Sequence, residues 1–211
     1  SVFLFKNNKD KYAYVQIPKN ASSTLGRSFF PKNLCNSIPF SKRYRLEDRT
    51  FVVVLRDPIE RWKVGAAEDY IRELNKGQIS IDSFWNRLTQ KLEVGAHTGT
   101  QVNFIDECRE VYGAKTFQYF ILDNTFDARF EIWMRRNGFE HFDYRYLHKH
   151  ENITSNTAEK QQALEWIKKH YNDELDSKLR KFLARDIELY NFYNKLNASV
   201  DSDLNKLYNA I

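Results

Sequence analysis

The chain has few of the residues that mark metal sites, disulfide scaffolds and flexible linkers. Its 211 residues include two cysteines, five histidines, seven glycines and four prolines. The histidines and the cysteines, Cys35 and Cys108, lack metal-ligand spacing, so no metal is predicted, and whether the cysteines pair is left open. No apolar run approaches the ~20 residues of a membrane span, and no secretory signal is visible. A soluble protein is predicted, with the cytoplasm slightly favoured. Because the chain begins at Ser1, a lumenal setting after loss of an upstream anchor stays open.

The composition is that of a folded domain. Hydrophobic residues make up 42% of the chain and aromatic residues 15%, which argues against disorder. The length predicts one domain, which we place at residues 1–196, followed by a polar tail at 197–211. The net charge of +5 is compatible with an anionic ligand and equally with an ordinary solvated surface.

Strand-like and helix-like segments alternate along the chain. Apolar or β-branched runs predict strands at 12–18, 51–55 and 115–122. Helical spacing predicts helices at 22–30, 58–75, 81–92 and 126–137, and one or two helices over 156–196 with a break near Asn172. Residues 32–49 are predicted to be irregular. This alternation is typical of an α/β domain with a mainly parallel sheet.

The first predicted strand ends in a polar turn. The turn contains Pro18, Lys19, Asn20, Ala21, Ser22, Ser23 and Thr24. Backbone N–H groups and hydroxyls in such a turn can surround an oxyanion, and a lysine adds a positive charge. A capped helix start beside an exposed lysine would explain the same string. The glycine-rich triphosphate loop motif is absent.

The second predicted strand is a continuous apolar run that ends at Arg56. Asp57 and Pro58 then predict a helix start, with Asp57 as the N-cap. A guanidinium binds phosphate through two parallel hydrogen bonds. The cap and surface ion pairs would also explain this segment without a ligand. As a pair, the two strand ends suggest a ligand with two separated phosphate-like groups.

Together the two segments resemble the PAPS-dependent sulfotransferases, in the form seen in carbohydrate sulfotransferases; PAPS is 3′-phosphoadenosine 5′-phosphosulfate. Residues 18–24 are similar to the family's 5′-phosphosulfate loop and residues 54–61 to its 3′-phosphate segment. Residues 182–190 resemble its C-terminal helix. The resemblance implies a P-loop nucleotide-kinase-like three-layer fold with a central, mainly parallel sheet flanked by helices. It also implies that the donor binds at the carboxyl ends of the strands.

The resemblance implies donor-binding roles for these residues. Lys19 would contact the oxygen that bridges sulfate and phosphate, Arg56 would bind the 3′-phosphate, and the rest of the loop would hold the 5′-phosphate. The family usually has a serine eight residues after the arginine, where this chain has Val64. Either Lys63 or a residue from another segment replaces it, or the donor is bound more weakly. The product is 3′,5′-ADP, and no metal is implied.

Transfer to a hydroxyl also needs a base. His97 is the first candidate, because family members often carry a histidine followed by a glutamine in this region, as His97 and Gln101 do. Glu68 and Asp69, on the helix after Arg56, are the alternatives. A loop histidine bonded to backbone and a solvated helix face would explain these residues without catalysis. One further loop is a polar cluster that contains His148, Lys149, His150 and Asn152. The resemblance implies that this loop lies near or covers the nucleotide, and a plain surface loop would explain the same residues.

The sequence therefore predicts a sulfotransferase that moves a sulfuryl group from PAPS to a hydroxyl on a carbohydrate or related small molecule. A second hypothesis is another phosphate-transfer enzyme on a kinase-like fold. A third is a non-catalytic polyanion-binding module that uses Lys42, Arg43, Arg45 and Lys63. Aromatic residues do not interleave with those cations, which argues against nucleic acid as a partner. Acceptor identity and oligomeric state are left open.

Overall fold

The computed structural model describes residues 2–5, 11–22, 25, 35–38, 45–77, 79–139 and 157–209. In these ranges the strands are β1 (Val2–Phe5), β2 (Tyr12–Val15), β3 (Cys35–Ile38), β4 (Thr50–Leu55) and β5 (Thr116–Ile121). The helices are α1 (Pro58–Asn75), α2 (Ile81–Lys91), α3 (Gln101–Tyr112), α4 (Phe126–Arg136), α5 (Ala158–His170), α6 (Asp173–Phe182) and α7 (Ala184–Asn209). None of these helices is both long enough and apolar enough to cross a membrane.

The strands form one mixed sheet in the order β3-β1-β2-β4-β5. Strand β4 pairs in parallel with β2 and with β5, which are the three strands that the sequence predicts. Strand β1 pairs antiparallel with both β2 and β3. The sequence did not predict β1 or β3, each only four residues long, and they make the sheet mixed.

Helices cover both faces of the sheet. Successive side chains of a strand point to opposite faces. Phe51, Val53 and Leu55 pack with residues of α3 and α7, whereas Val52 and Val54 pack with residues of α4. A third apolar cluster joins α1, α2, α5 and α6. The α/β class with a central sheet between helices is therefore confirmed.

Helix α1 begins as the sequence predicts. Asp57 is its N-cap, and Asp57 Oδ1 accepts hydrogen bonds from the Ile59 and Glu60 N–H groups at 3.0 Å each. Pro58 occupies the first helical position, where its missing N–H costs no hydrogen bond. This cap fixes the point at which the chain leaves β4 and turns into the helix.

The C-terminal helices divide more often than the sequence predicts. The predicted break near Asn172 is confirmed, since Asn172 caps α6 after α5 ends at His170. A second break at Leu183 separates α6 from α7. Helix α7 continues to Asn209, through most of the segment predicted as a polar tail.

The sequence did not predict helix α3. Its N-cap residue, Thr100, makes no side-chain capping bond. Instead Asp186, on α7, accepts hydrogen bonds from the N–H groups of Gln101 (2.8 Å) and Val102 (2.9 Å). Cys108 of α3 is buried with a free thiol, so it forms no disulfide with Cys35 in this structure.

Candidate functional site

The two segments singled out in the sequence meet at one edge of the sheet. Strands β2 and β4 are parallel neighbours, so their carboxyl ends lie side by side. The loop after β2 contains Lys19, and Arg56 directly follows β4. Arg56 Nη1 donates a hydrogen bond to the Lys19 carbonyl at 3.0 Å. Burial lowers the pKa of Arg56, with Glu60 and Asp57 opposing that effect.

The loop after β2 has an unusual backbone. Lys19 and Ala21 have φ values of 68° and 61°, in the left-handed region, whereas Asn20 between them lies outside it. Residues with a Cβ rarely adopt this region, and doing so costs on the order of 1–3 kcal/mol each. Backbone that alternates between the two hands can form a concavity of N–H groups that binds anions. In this loop the Asn20 N–H is used internally and donates to the Ile17 carbonyl at 3.2 Å.

Asn20 and Gln101 tie the loop to the end of β4. The Asn20 side chain is buried, and its Nδ2 donates to the Val54 carbonyl at 2.8 Å and to Gln101 Oε1. Gln101 Oε1 also accepts from the Arg56 N–H at 3.0 Å, and Gln101 Nε2 donates to the Arg56 carbonyl at 2.9 Å. Asn20 Nδ2 is thus used to hold the loop, and a phosphate contact from Asn20 stays a prediction.

Arg61 fastens the same loop from helix α1. It is 2% exposed, and its guanidinium donates to the carbonyls of Pro18 (Nε, 3.1 Å) and Gly99 (Nη1, 2.5 Å). These bonds connect the loop after β2 with the loop before α3. A buried arginine that bonds to carbonyls on two loops makes their relative position rigid.

Glu68 gathers three cations at the Lys19 loop. Lys19 Nζ lies 3.3 Å from Glu68 Oε2, Lys160 Nζ contacts the same oxygen, and Arg72 Nε lies 3.5 Å from Glu68 Oε1. Burial acts to raise the pKa of Glu68, but Lys160 and Lys19 together lower it to about 2. A carboxylate held in this way is a weak base, so the geometry favours a positioning role for Glu68.

His97 is held by a carboxylate one residue farther along α1. Its Nδ1 lies 2.9 Å from Asp69 Oδ1, and Thr98 Oγ1 donates to Asp69 Oδ2 at 2.9 Å. Because a carboxylate only accepts hydrogen bonds, Nδ1 is the nitrogen that donates to Asp69, and Nε2 is the nitrogen left for another partner. The arrangement can accept a proton at Nε2.

Two glycines allow the His97 loop to approach α1. A Cβ atom at Gly65 would lie 1.9 Å from the His97 carbonyl oxygen, and one at Gly95 would lie 2.7 Å from Asp69 Oδ1. Neither distance is possible for a real side chain. Glycine at these positions therefore sets how closely His97 sits against the helix that carries Glu68 and Asp69.

Lys63 lies on another face of α1. Its Nζ is 4.3 Å from the centroid of the Tyr171 ring and 3.7 Å from Glu60 Oε1. These contacts direct it toward the junction of α5 and α6. A role for Lys63 at the 3′-phosphate stays a prediction, and so does a phosphate contact from Ser22.

The structure thus brings Lys19, Arg56, Glu68 and His97 to the same end of the sheet, whereas Lys63 contacts Glu60 and Tyr171. Several predicted residues lie outside the described ranges, namely Ser23, Thr24, Lys42, Arg43, His148, Lys149, His150 and Asn152. The same holds for most of the helix predicted at 22–30.

Sequence reasoning missed Lys160 and the bridging role of Gln101. Lys160 stands in an ordinary charged helix and carries no local signal that it reaches Glu68. Gln101 was noted only as part of the resemblance. Asp69, one of the alternative bases, lies 2.9 Å from His97 Nδ1, a geometry that suits positioning of the His97 ring.

Other features of the described residues offer no competing centre. No group of three or more His, Cys, Asp or Glu side chains among them could hold a metal ion. An apolar cleft of ≈ 320 Å³ between α3, β5 and α7 is lined partly by Arg109 and Arg185, and Arg185 Nη1 pairs with Asp106 at 2.9 Å. No family model, curated protein or solved structure matches the chain, so its function is argued from its own residues.

Proposed function

We propose that the protein is a PAPS-dependent sulfotransferase that acts on a hydroxyl of a carbohydrate or related small molecule. The observation that carries the proposal is the Lys19 loop, which has left-handed residues at Lys19 and Ala21 and contacts Arg56 directly. A cationic loop with this backbone at the carboxyl end of a parallel strand suits a phosphate-like group. Arg56, on the neighbouring strand end, suits a second one.

The local charge supports an anionic ligand. Lys19, Lys160 and Arg72 surround one carboxylate, that of Glu68. Among the residues that the structure describes, one negative charge faces three positive ones, and the side chains of Lys19 and Lys160 are only 18% and 11% exposed. Burying like charges without a counter-ion is unfavourable. A bound phosphosulfate group would supply the missing negative charge.

In the proposed reaction, the acceptor hydroxyl oxygen forms a bond to sulfur while the bond from sulfur to the bridging oxygen breaks. His97 Nε2 takes the hydroxyl proton, with Asp69 holding Nδ1. Lys19 stabilises the negative charge that develops on the bridging oxygen, which leaves as part of 3′,5′-ADP. Catalysis of this kind depends mostly on positioning and on fixed charges.

Nucleotide selectivity tests the proposal. Thermal unfolding is measured with 3′,5′-ADP, 5′-AMP and ATP side by side. At a hundred times its dissociation constant a ligand stabilises by about 2.7 kcal/mol, which corresponds to roughly 5–10 °C for a chain of this size. We expect 3′,5′-ADP to give this shift and 5′-AMP to give a much smaller one.

Two outcomes would contradict the proposal. Equal shifts with 3′,5′-ADP and 5′-AMP would mean that the protein does not recognise a 3′-phosphate. A larger shift with ATP would favour the alternative of a phosphate-transfer enzyme.

A matched variant, Arg56→Gln, is expected to remove the preference for 3′,5′-ADP over 5′-AMP while the protein stays folded by circular dichroism.

A further inference from the structure

Lys160 occupies a position that helix stability does not explain. It is 9% exposed, and lysine is rarely buried to this degree. It also lies in the first turn of α5, where its N–H bonds to the capping hydroxyl of Thr157 at 3.2 Å. The helix dipole disfavours a positive charge in that turn. Another interaction must therefore hold the ammonium group there.

Lys160 contacts the carboxylate of Glu68, which Lys19 also contacts. Both ammonium groups contact the same oxygen, Glu68 Oε2, so the two cations lie close together. Burial lowers the pKa of Lys19, Glu68 opposes this effect, and the positive charge of Lys160 adds to the lowering. The two lysines repel each other, and one carboxylate neutralises only one of them.

Docking of α5 on α1 does not require this ion pair. Ala163 and Ile167 of α5 are buried in the same apolar cluster as Ala66 and Ala67 of α1. A buried ion pair adds little net stability, because removing the charges from water offsets their attraction. Apolar packing can therefore account for the position of the helix, and the buried lysine needs a separate reason.

We propose that Lys160 is a second lysine of the donor site and contacts the 5′-phosphosulfate end of the donor together with Lys19. The inference rests on the proposed function and goes beyond it, since neither sequence motif contains this residue. The chain segment that supplies Lys160 lies far from both motifs, and only the packing of α5 on α1 brings it to Glu68.

The test compares two nucleotides that differ only at the 5′ position. Dissociation constants of 3′,5′-ADP and adenosine 3′-phosphate are measured for the wild type and for Lys160→Met. Loss of one charged hydrogen bond should weaken 3′,5′-ADP by at least about tenfold. Adenosine 3′-phosphate should bind unchanged, because it lacks the 5′-phosphate. Lys168→Met, an exposed change on the same helix, is the matched control and should leave both constants unchanged.

The outcomes distinguish failure of the Lys160 inference from failure of the proposed function. Equal weakening of both nucleotides in Lys160→Met would assign Lys160 a purely structural role and overturn the inference. Failure of the wild type to prefer 3′,5′-ADP over 5′-AMP would overturn the proposed function, and this inference with it. If Lys160→Met does not fold, Lys160→Gln, which retains a donor for Glu68, is used in the same comparison.

A second variant separates direct from indirect action. Lys160→Met could weaken nucleotide binding indirectly, without any contact between Lys160 and the nucleotide, because Glu68 would then hold Lys19 more tightly. In a Glu68→Gln background this indirect effect is absent, because glutamine carries no negative charge to hold Lys19. A loss of 3′,5′-ADP affinity on adding Lys160→Met to Glu68→Gln supports direct contact, whereas the absence of a loss in that background overturns it.

Discussion

Helix α1 has two polar faces that differ in their charge balance. One face carries Glu68, which contacts Lys19, Lys160 and Arg72. The other borders a cleft of ≈ 280 Å³. The charged residues that line this cleft are Asp57, Glu60, Lys63, Asp176 and Arg180.

The cleft residues pair among themselves. Arg180 Nε lies 2.8 Å from Asp176 Oδ2, and the Tyr171 hydroxyl donates to Asp176 Oδ1 at 2.7 Å. Lys63 lies near Glu60 and the ring of Tyr171. Counting described residues alone, the cleft has three carboxylates and two cations, whereas the Glu68 face has one carboxylate and three cations. The comparison teaches that two lysines that contact carboxylates of α1 can differ in charge environment, since Lys19 shares a carboxylate with other cations whereas Lys63 lies among carboxylates.

The largest expected effect separates the two faces directly. Lys19→Met should lower the rate of sulfuryl transfer by roughly 100–1000-fold, because it removes the charge that stabilises the leaving oxygen. Arg180→Met, in the cleft, should change the rate by no more than about twofold. The measurement is transfer of labelled sulfate from PAPS to a carbohydrate acceptor found by screening. Similar losses in both variants would break the comparison.

The second prediction concerns the carboxylate that holds His97. Thr98 Oγ1 accepts hydrogen bonds from the Val94 and Gly95 N–H groups at 2.9 and 3.2 Å, so its lone pairs are used. In Asp69→Asn the amide oxygen must then face Thr98 and the amide NH₂ must face His97. That change forces the proton to Nε2 and should lower kcat by roughly 100-fold.

Nitrogen NMR of the His97 ring checks this result independently of activity. The wild type should show the Nδ1–H tautomer and Asp69→Asn the Nε2–H tautomer, with the affinity for 3′,5′-ADP unchanged. Asp176→Asn is the matched change in the cleft and should leave the His97 spectrum as it is. An unaltered tautomer in Asp69→Asn would remove Asp69 from the positioning of His97.

The smallest expected effect is on stability in acid. The pKa of Glu68 is about 2, compared with an ordinary value of 4.5, so the unfolded chain binds the proton more readily than the folded one. The stabilisation is complete above pH 4.5 and is lost as the pH falls toward 2. It is on the order of 1–3 kcal/mol.

Denaturant unfolding at pH 7 and pH 3 measures this contribution. Glu68→Gln should be less stable than the wild type at pH 7. The difference should narrow at pH 3, which lies below the ordinary pKa of 4.5, because the unfolded wild-type chain then binds a proton at Glu68. Glu60→Gln is the control on the other face, since the Glu60 side chain is 52% exposed and its ion pair is a surface one. A constant difference across the two pH values would show that Glu68 is not held as described.

Local signals predicted the central part of the fold. Continuous or alternating apolar residues predicted β2, β4 and β5, and the Asp57-Pro58 pair predicted the start of α1. Strands β1 and β3 are too short to give a periodic signal. Helix α3 has no local start signal, because its N-terminus is capped by Asp186 from another helix.

The candidate site divides in the same way. The composition of residues 18–24 and the position of Arg56 after a buried strand predicted two cationic strand ends, and parallel pairing brings those ends together. The direction taken by Lys63 was not predictable, since it depends on the position of Tyr171. The contact between Asp69 and His97 Nδ1 depends on the close approach of the His97 loop to α1, which requires glycine at position 65.

By itself, the sequence determined the buried strands, the cap of α1 and the residue types of a loop able to surround an anion, because these depend on neighbours within a few positions. Only the tertiary structure decided which charged side chains contact one another. Lys19, Glu68 and Lys160 come from three separate segments, and their contacts depend on the packing of α1 and α5 against each other and beside the loop after β2. Electrostatic coupling acts through space, so helix packing determines which of these charges lie close enough to balance one another.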